Sequence, residues 1–534
     1  MSKEEKVLFR SEGTLFELED PETLSYEPLG DKNTFEIILV KKAPLDYRLV
    51  ILESEEEAMS QPLRPNSFLR YSLENQSVHW TALVEDTVEG FAFQMFAPEG
   101  MTTAQEKVEV FKTLFNQVTY SLYTNTDVVD TSDEWYQYMK DTASQQLPKD
   151  TAEEPVYALT PESNGVAKTG RGNVCFADAI QFNLALVLRP GEKENLSIQA
   201  HRYNESGFVE DEEGLVVLEV EKARKGFTGA LLDPAERNLL LFGGGSSLQH
   251  VDLERKAVVQ EYEAPEERDI LYTTYSYHSS EMNPTLLTCL SKNCAFSIDT
   301  RMDPTRCAIY EAGKSARDYA LSSLKGTFTC HATSDKGHLA IGDNNGAIRL
   351  YSGPPGSRKP DGKYFPKTAK TLLDLKTPVR FLDLTKDGKY LVATCDHFLV
   401  ILTTDYLRDG EHYNGFVKGM GPDKPTPLKL LPSLQQDQVM GQSQFREAKF
   451  DDNEQFIVAC YGNYLITWAM KNVIECLENK TVSQSAHTNV ESNALSSISR
   501  KGDDTVSYLT QEGVGLFKAK KQMSKQDGVR FTKK

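Results

Sequence analysis

Few groups in this chain stand at the spacings that chemistry needs. Ala312-Gly313-Lys314-Ser315 ends like a phosphate-binding loop, where backbone N–H groups and a lysine surround phosphate oxygens. That loop needs a glycine five positions before Gly313, and Ala308 stands there. Gly243-Gly244-Gly245-Ser246-Ser247 offers serines, but a nucleophile elbow needs glycine two residues beyond Ser246, at the position of Leu248. Asp343-Asn344-Asn345-Gly346 opens like a calcium loop, yet no glutamate follows at the spacing for bidentate coordination. Cys395-Asp396-His397 and Cys330-His331 each offer two metal ligands, without the paired CxxC or HxxxH that a zinc site requires. The nine histidines are scattered. The sequence therefore predicts no enzyme, no cofactor and no metal.

The polar groups sit instead in the turns of a repeat. Leu339-Ala340-Ile341-Gly342, Asp343 to Gly346 and Ala347 to Tyr351 read as apolar strand, tight turn and apolar strand. Leu391 to Thr394 with Phe398 to Leu402, and Phe456 to Ala459 with Tyr464 to Trp468, repeat the pattern. Weaker copies pair Phe208-Val209 with Leu215 to Leu218, Leu239 to Phe242 with Leu248 to Val251, Leu286 to Cys289 with Cys294 to Ile298, and Val506 to Leu509 with Val514 to Phe517. Seven turns fall near residues 212, 245, 292, 344, 396, 462 and 512. A second set of polar turns, such as Leu232-Asp233-Pro234 and Thr385-Lys386-Asp387-Gly388, precedes many of the hairpins. Repeated sheets of this kind close into a propeller, which leaves no long edge open. Seven blades are expected over 166–521. Equivalent turns of successive blades share one face. Asn344, Asn345, Asp396, His397, Tyr461 and Asn463 are therefore the candidate partner-binding residues, with solvated turns as their plain alternative.

Residues 1–122 read differently. Short apolar runs alternate with turns from Lys6 to Phe96, and then the period changes. Thr102 or Thr103 can cap a helix on which Val108, Phe111, Leu114, Phe115, Val118 and Leu122 recur at helical spacing. Several strands followed by one amphipathic helix predict a pleckstrin-homology-like barrel plugged by its last helix. Residues 123–165 read as an acidic linker, interrupted by an aromatic knot of Trp135, Tyr136, Tyr138 and Met139 that either docks on a domain or serves as a recognition segment.

Charge is unevenly placed. Residues 1–165 hold 13 Lys+Arg against 31 Asp+Glu, so they carry −18 of the total −19. Lys518 to Lys534 reverse the sign with seven basic residues and one acid, and 522–534 reads as a basic tail. The acidic excess serves solubility or a basic partner surface, and it argues against nucleic acid as a ligand. Lys41-Lys42 is the only basic pair in the barrel, a poor match to a phosphoinositide headgroup. No apolar run reaches the length of a membrane span, and Met1 to Lys6 does not open a signal peptide. Eight thinly spread cysteines, several inside apolar strands, fit buried thiols in a reducing compartment, hence the cytoplasm.

Asp252 to Glu261 resembles a signature of the vacuolar import and degradation protein 27 family. Thr329 to Thr333, Gly346 to Tyr351, Ala369 to Leu372, Asp387 to Cys395 and Tyr464 to Trp468 are similar to that family's blades, in the right order. The resemblance implies a pleckstrin-homology-like domain followed by a WD-like propeller, with a loose link to degradation or trafficking of cytosolic cargo. It implies no enzyme activity and no assigned binding residues. The expected function is a cytoplasmic scaffold or adaptor that binds protein through propeller turns and the acidic barrel. The alternative is a peripheral membrane regulator, whose basic tail contacts anionic lipid or whose barrel contacts a small GTPase.

Overall fold

The computed structural model of the chain describes residues 5–20, 24–30, 34–65, 67–84, 87–97, 103–147, 153–191, 195–204, 207–209, 215–223, 226–307, 319–320, 326–431, 444–479, 481, 485–499, 504–524 and 529–532. Strands dominate, and a seven-bladed propeller forms their larger part. Each blade is a four-stranded antiparallel sheet, and in blades 2 to 7 the two central strands are a hairpin of the repeat. Leu286–Leu290 pairs with Cys294–Asp299, Leu339–Asp343 with Ala347–Tyr351, Tyr390–Thr394 with Leu399–Thr403, and Phe456–Tyr461 with Tyr464–Ala469. These strands are apolar on both faces because each blade is packed between two others. All of Leu286–Leu290 and Phe456–Tyr461 is buried. The innermost strands of blades 2 to 7 are Gly229–Leu232, Tyr272–Tyr275, Phe328–Thr333, Phe381–Leu384, Phe445–Phe450 and Ala494–Ser499.

The first repeat is displaced from the sequence reading. Phe208-Val209 and Leu215 to Leu218 do not form a hairpin. Leu215–Val220 pairs with Leu196–Asn204, and Gly207–Phe208 folds back on Tyr203 and Asn204. Blade 1 consists of Cys175–Ala179, Leu184–Pro190, Leu196–Asn204 and Leu215–Val220. Its true hairpin was hidden because its second strand, Leu196–Asn204, alternates apolar with polar residues instead of reading as a continuous apolar run.

Blade 7 closes the ring by a strand from far upstream. Glu154–Lys168 is its outer strand and runs antiparallel to Gly513–Ser524, from Glu154 opposite Ser524 to Lys168 opposite Gly513. The register shifts between Pro161 and Val166, where a proline is tolerated at a bulge. Linker residues up to 165 and tail residues from 522 are thus partly strand. Val156, Tyr157 and Leu159 are buried, but the flanking Glu154, Pro155, Thr160 and Pro161 mask the pattern.

The N-terminal sheet runs in the order Glu56–Pro62, Asp46–Glu53, Phe35–Ala43, Lys6–Asp20, Thr87–Met95, Ser77–Val84, Leu69–Ser72. Helix Ala104–Thr124 follows, opened by a capping box in which the Thr103 hydroxyl accepts from Glu106 N–H and the Glu106 carboxylate accepts from Thr103 N–H. Val108, Phe111 and Phe115 fill the sheet's concave side against Phe35, Ile37, Leu49, Ile51 and Phe93. This is the barrel-and-plug arrangement expected from the change of period.

The connector is ordered and docked. Asp133 caps the short helix Glu134–Met139 by accepting from Trp135 and Tyr136 N–H. Tyr136, Tyr138 and Met139 share one apolar cluster with Leu375, Phe398, Phe416 and Met420 of blades 4 and 5. Ser144–Gln146 then pairs in parallel with barrel strand Leu69–Ser72. Past blade 7, Arg530–Phe531 returns to pair in parallel with Ser25 and Tyr26 of the barrel.

Candidate functional site: the turns of blades 4 to 6 beside the barrel

The central turns of blades 4, 5 and 6 are built by short-range polar bonds. In blade 4 the Asp343 carboxylate accepts from Asn345 and Ala347 N–H, both at 2.9 Å, and from Arg349 Nη1 at 2.7 Å. Gly346 has φ +95°, which admits a side chain only with strain. Asn344 Oδ1 accepts from Thr327 N–H at 2.8 Å, and both asparagines are exposed at the tip. In blade 5, Cys395 N–H reaches Phe398 O at 3.0 Å, which leaves Asp396 and His397 as the two-residue turn. Arg380 grips the Asp396 carboxylate through Nε at 2.7 Å and Nη2 at 3.1 Å, a bidentate pair. That grip raises the Arg380 pKa above its ordinary value. In blade 6, Tyr461 is buried against Phe445, with ring centroids 4.6 Å apart. Gly462 O and Asn463 O accept from Ala494 and Val490 N–H, tying this turn to the start of blade 7.

The barrel lies against this same face. A cavity of about 430 Å³ opens between barrel residues Leu49, Met59, Trp80 and Phe115 and propeller residues His397, Leu431 and Tyr461. A second, about 590 Å³, is bordered by Arg380, Asp396, Gln444, Arg446, Gly462 and Asn493. A third, about 330 Å³, lies between Pro65, Tyr123, Lys376 and Asp396 to Phe398. Asp396, His397 and Tyr461 thus line three neighbouring cavities that His397 and Asp396 connect, and together these make up one groove. Asn344, Asn345 and Asn463 do not line these cavities.

Sequence reading missed the residues that frame the groove. Lys429 in the outer strand of blade 5 is 3% exposed, and its Nζ meets Tyr123 OH at 3.1 Å and the ring of Phe398 at 4.3 Å. Burial pushes its pKa down to about 8. Gln145 Nε2 donates to Lys429 O at 2.5 Å, so the connector grips the same strand. Trp135 lies under the ammonium groups of Lys424, at 4.5 Å, and Lys376, at 5.6 Å. Lys424 also pairs with Glu134. Lys376 and Arg380 come from the segment between blades 4 and 5, and Arg446 from the inner strand of blade 6, and neither stretch carries a pattern that would flag them.

Elsewhere the ionisable groups are spent inside the fold. Lys449 bridges Glu447 at 3.1 Å and Ser497 O at 3.0 Å, and Asp383 accepts from Phe450 N–H at 2.9 Å, joining the inner strands of blades 5, 6 and 7. Burial raises the Asp383 pKa. Cys289 and Cys330 are buried with thiols pushed up to about 12, the opposite of an activated nucleophile. Among the described residues no three His, Cys, Asp or Glu gather to hold a metal ion, and no helix is long and apolar enough to cross a membrane. Ala308 and Ala312 to Ser315 lie outside the described residues.

The family comparison agrees with a propeller of the WD40-like kind. The family described as "VID27 C-terminal WD40-like domain" matches residues 228–505. Vacuolar import and degradation protein 27 of Schizosaccharomyces pombe is 27% identical over 241 residues, 42% of this chain and 28% of that protein. Its Saccharomyces cerevisiae namesake is 26% identical over 255 residues, 45% of this chain and 30% of that protein. The matched region is thus under a third of the length of either relative. The crystal structure of the Cps50 (Swd1) β-propeller domain of Myceliophteria thermophila superposes with a TM-score of 0.45 at 12% identity, covering 69% of this chain and 99% of that one. With just over half of its residues matched by the family description, the chain belongs to the VID27 family.

Proposed function

We propose that the protein is a cytoplasmic scaffold that binds another protein in the groove between the barrel and the turns of blades 5 and 6, without catalysing a reaction. The observation that supports this most directly is that Asp396, His397 and Tyr461 line adjoining cavities, two of which barrel residues also line. Arg380, held by Asp396, and the exposed Arg446 line the cavity beside it, and Tyr461 and Trp80 supply aromatic surface. Such a mixture suits a polar peptide segment with an apolar anchor. The buried free thiols fit a reducing compartment. The two yeast relatives are named for vacuolar import and degradation, which supports a cargo in such a process.

The test is affinity purification of the tagged chain from its own cells, beside an Arg446→Glu, His397→Glu double variant that folds normally. A stoichiometric partner recovered by the first and lost by the second supports the groove. A partner retained by both moves the binding site elsewhere. Recovery of anionic lipid vesicles instead of protein would favour a peripheral membrane role.

A further inference from the structure

The barrel holds a second surface, on the other face of its sheet from the groove at blades 5 and 6: His79 borders it, while the next residue, Trp80, lines the groove. Strand Ser25–Pro28 pairs with Lys6–Asp20 on one side. Its other side is covered by the segment Val529 to Thr532. Arg530 N–H donates to Leu24 O at 3.2 Å and Thr532 N–H to Tyr26 O at 3.0 Å, the spacing of a strand added to a sheet. The Thr532 hydroxyl donates to the same Tyr26 oxygen at 3.0 Å.

The side chains alternate as an added strand requires. Val529 and Phe531 turn towards the barrel and are partly buried, while Arg530 and Thr532 stay exposed. The Phe531 ring lies 4.3 Å from Phe16, 5.8 Å from Tyr26 and 6.2 Å from His79 by centroid. Leu18, Leu24, Ala92 and Leu147 complete the pocket. The strands that frame it carry Glu17, Glu19 and Glu27 with exposed side chains. The segment that fills it belongs to a stretch with seven basic residues and one acid. Shape, backbone and charge thus match one kind of ligand.

The fit is also shallow. Two strand residues pair and one aromatic ring anchors them. An occupant held this way is exchangeable, and its advantage over a free peptide comes from being tethered.

We propose that the edge at Leu24 to Tyr26 is a peptide-binding site of the barrel for extended basic segments carrying one aromatic residue. Val529 to Thr532 is its intramolecular occupant, and a partner protein's segment of the same chemistry displaces it. The acidic charge of the barrel then selects the ligand, and the chain's own basic segment sets the threshold.

The test uses a fluorescent synthetic peptide of residues 525–534 and reads anisotropy. Three proteins are compared: the full chain, the full chain with Phe531→Ala, and a chain ending at Ser524. A short tether gives an effective concentration on the order of 1 mM. Against a free-peptide Kd near 0.1 mM, that makes the full chain bind about tenfold more weakly than the other two. The Phe531→Ala peptide should bind none of the three. Equal affinity for the full chain and Phe531→Ala, or no binding of the peptide to either altered protein, would overturn the proposal. Because Phe531→Ala keeps every other residue, failure of the shortened chain to fold leaves the test intact.

Discussion

Replacing Lys429 by methionine should stabilise the protein at neutral pH and reverse its effect in alkali. The lysine is 3% exposed, packs on Phe398 and Tyr123, and has Tyr123 OH as its polar neighbour at 3.1 Å. Desolvation lowers its pKa from 10.5 to about 8. A depression of that size corresponds to roughly 3 kcal/mol of penalty for the charged form in the folded state. At pH 7 folded and unfolded chains are both protonated at this residue, so the whole penalty is felt. Between pH 8 and 10.5 the unfolded chain binds a proton that the folded chain does not, and stability from this residue rises with pH. Methionine fills similar volume and carries no charge, but gives up the hydrogen bond to Tyr123, at about 1 kcal/mol. The variant should therefore be more stable than the parent by about 2 kcal/mol at pH 7, and less stable by about 1 kcal/mol above pH 10.5. Urea unfolding followed by tryptophan fluorescence measures this, because Trp80, Trp135 and Trp468 report on barrel, connector and blade 6. The difference between the two proteins is the quantity to follow, since the buried thiols and phenols other than Cys395 and Tyr123, which face Lys429, titrate alike in both. A difference that stays constant from pH 7 to 10.5, or a variant less stable at pH 7, would refute the account of Lys429 as a desolvated cation.

Gly346→Ala should destabilise by about 2 kcal/mol or more, read as a fall in thermal midpoint. Its φ is +95°, and an added Cβ would lie 2.6 Å from Thr377 N and 2.7 Å from Lys376 N, both backbone atoms that cannot swing away. In acid, buried His331, with its pKa pushed down to about 3 by desolvation, remains neutral in the folded state while the unfolded chain takes up a proton below about pH 6.5. Stability is present above pH 6.5 and lost as pH falls towards 3. His331→Phe, which keeps the edge contact to Tyr272 seen at 5.1 Å, should lose less, with a slope shallower by roughly 1 kcal/mol per pH unit between pH 6 and 4.

The hairpins of blades 2 to 7 were legible because two buried strands with a polar turn between them leave a local signature. Leu391 to Leu402 is the plainest case, every strand residue from Leu391 to Cys395 being buried. The inner strands were harder to read. Phe381–Leu384 and Ala494–Ser499 mix polar residues with apolar ones, and Asp383 is used in a bond to the next blade. Outer strands such as Ser485–Asn489 are half exposed and carry almost no pattern. Glu154–Lys168 read as linker because its partner lies at the other end of the chain, and a ladder between distant segments leaves no mark on either alone. The barrel helix announced itself by spacing, and Thr103 rather than Thr102 caps it. At the candidate site, turn position alone placed Asp396, His397 and Tyr461. What turns Asn344 and Asn345 away from the groove is where the barrel sits, and that depends on contacts such as Tyr120 and Tyr138 with blades 4 and 5, which no local pattern encodes.

The strand that closes blade 7 has a bearing on how the protein is made. Glu154–Lys168 leaves the ribosome early, and its partner Gly513–Ser524 follows only after blades 1 to 6. At 5–20 residues per second that strand waits on the order of half a minute with one ladder of backbone groups unsatisfied, while the growing blades form an open arc. A long bare edge invites pairing with other nascent chains. Glu154, Thr160, Pro161 and Glu162 interrupt this one, so the segment is a poor template for any strand except the one it is waiting for.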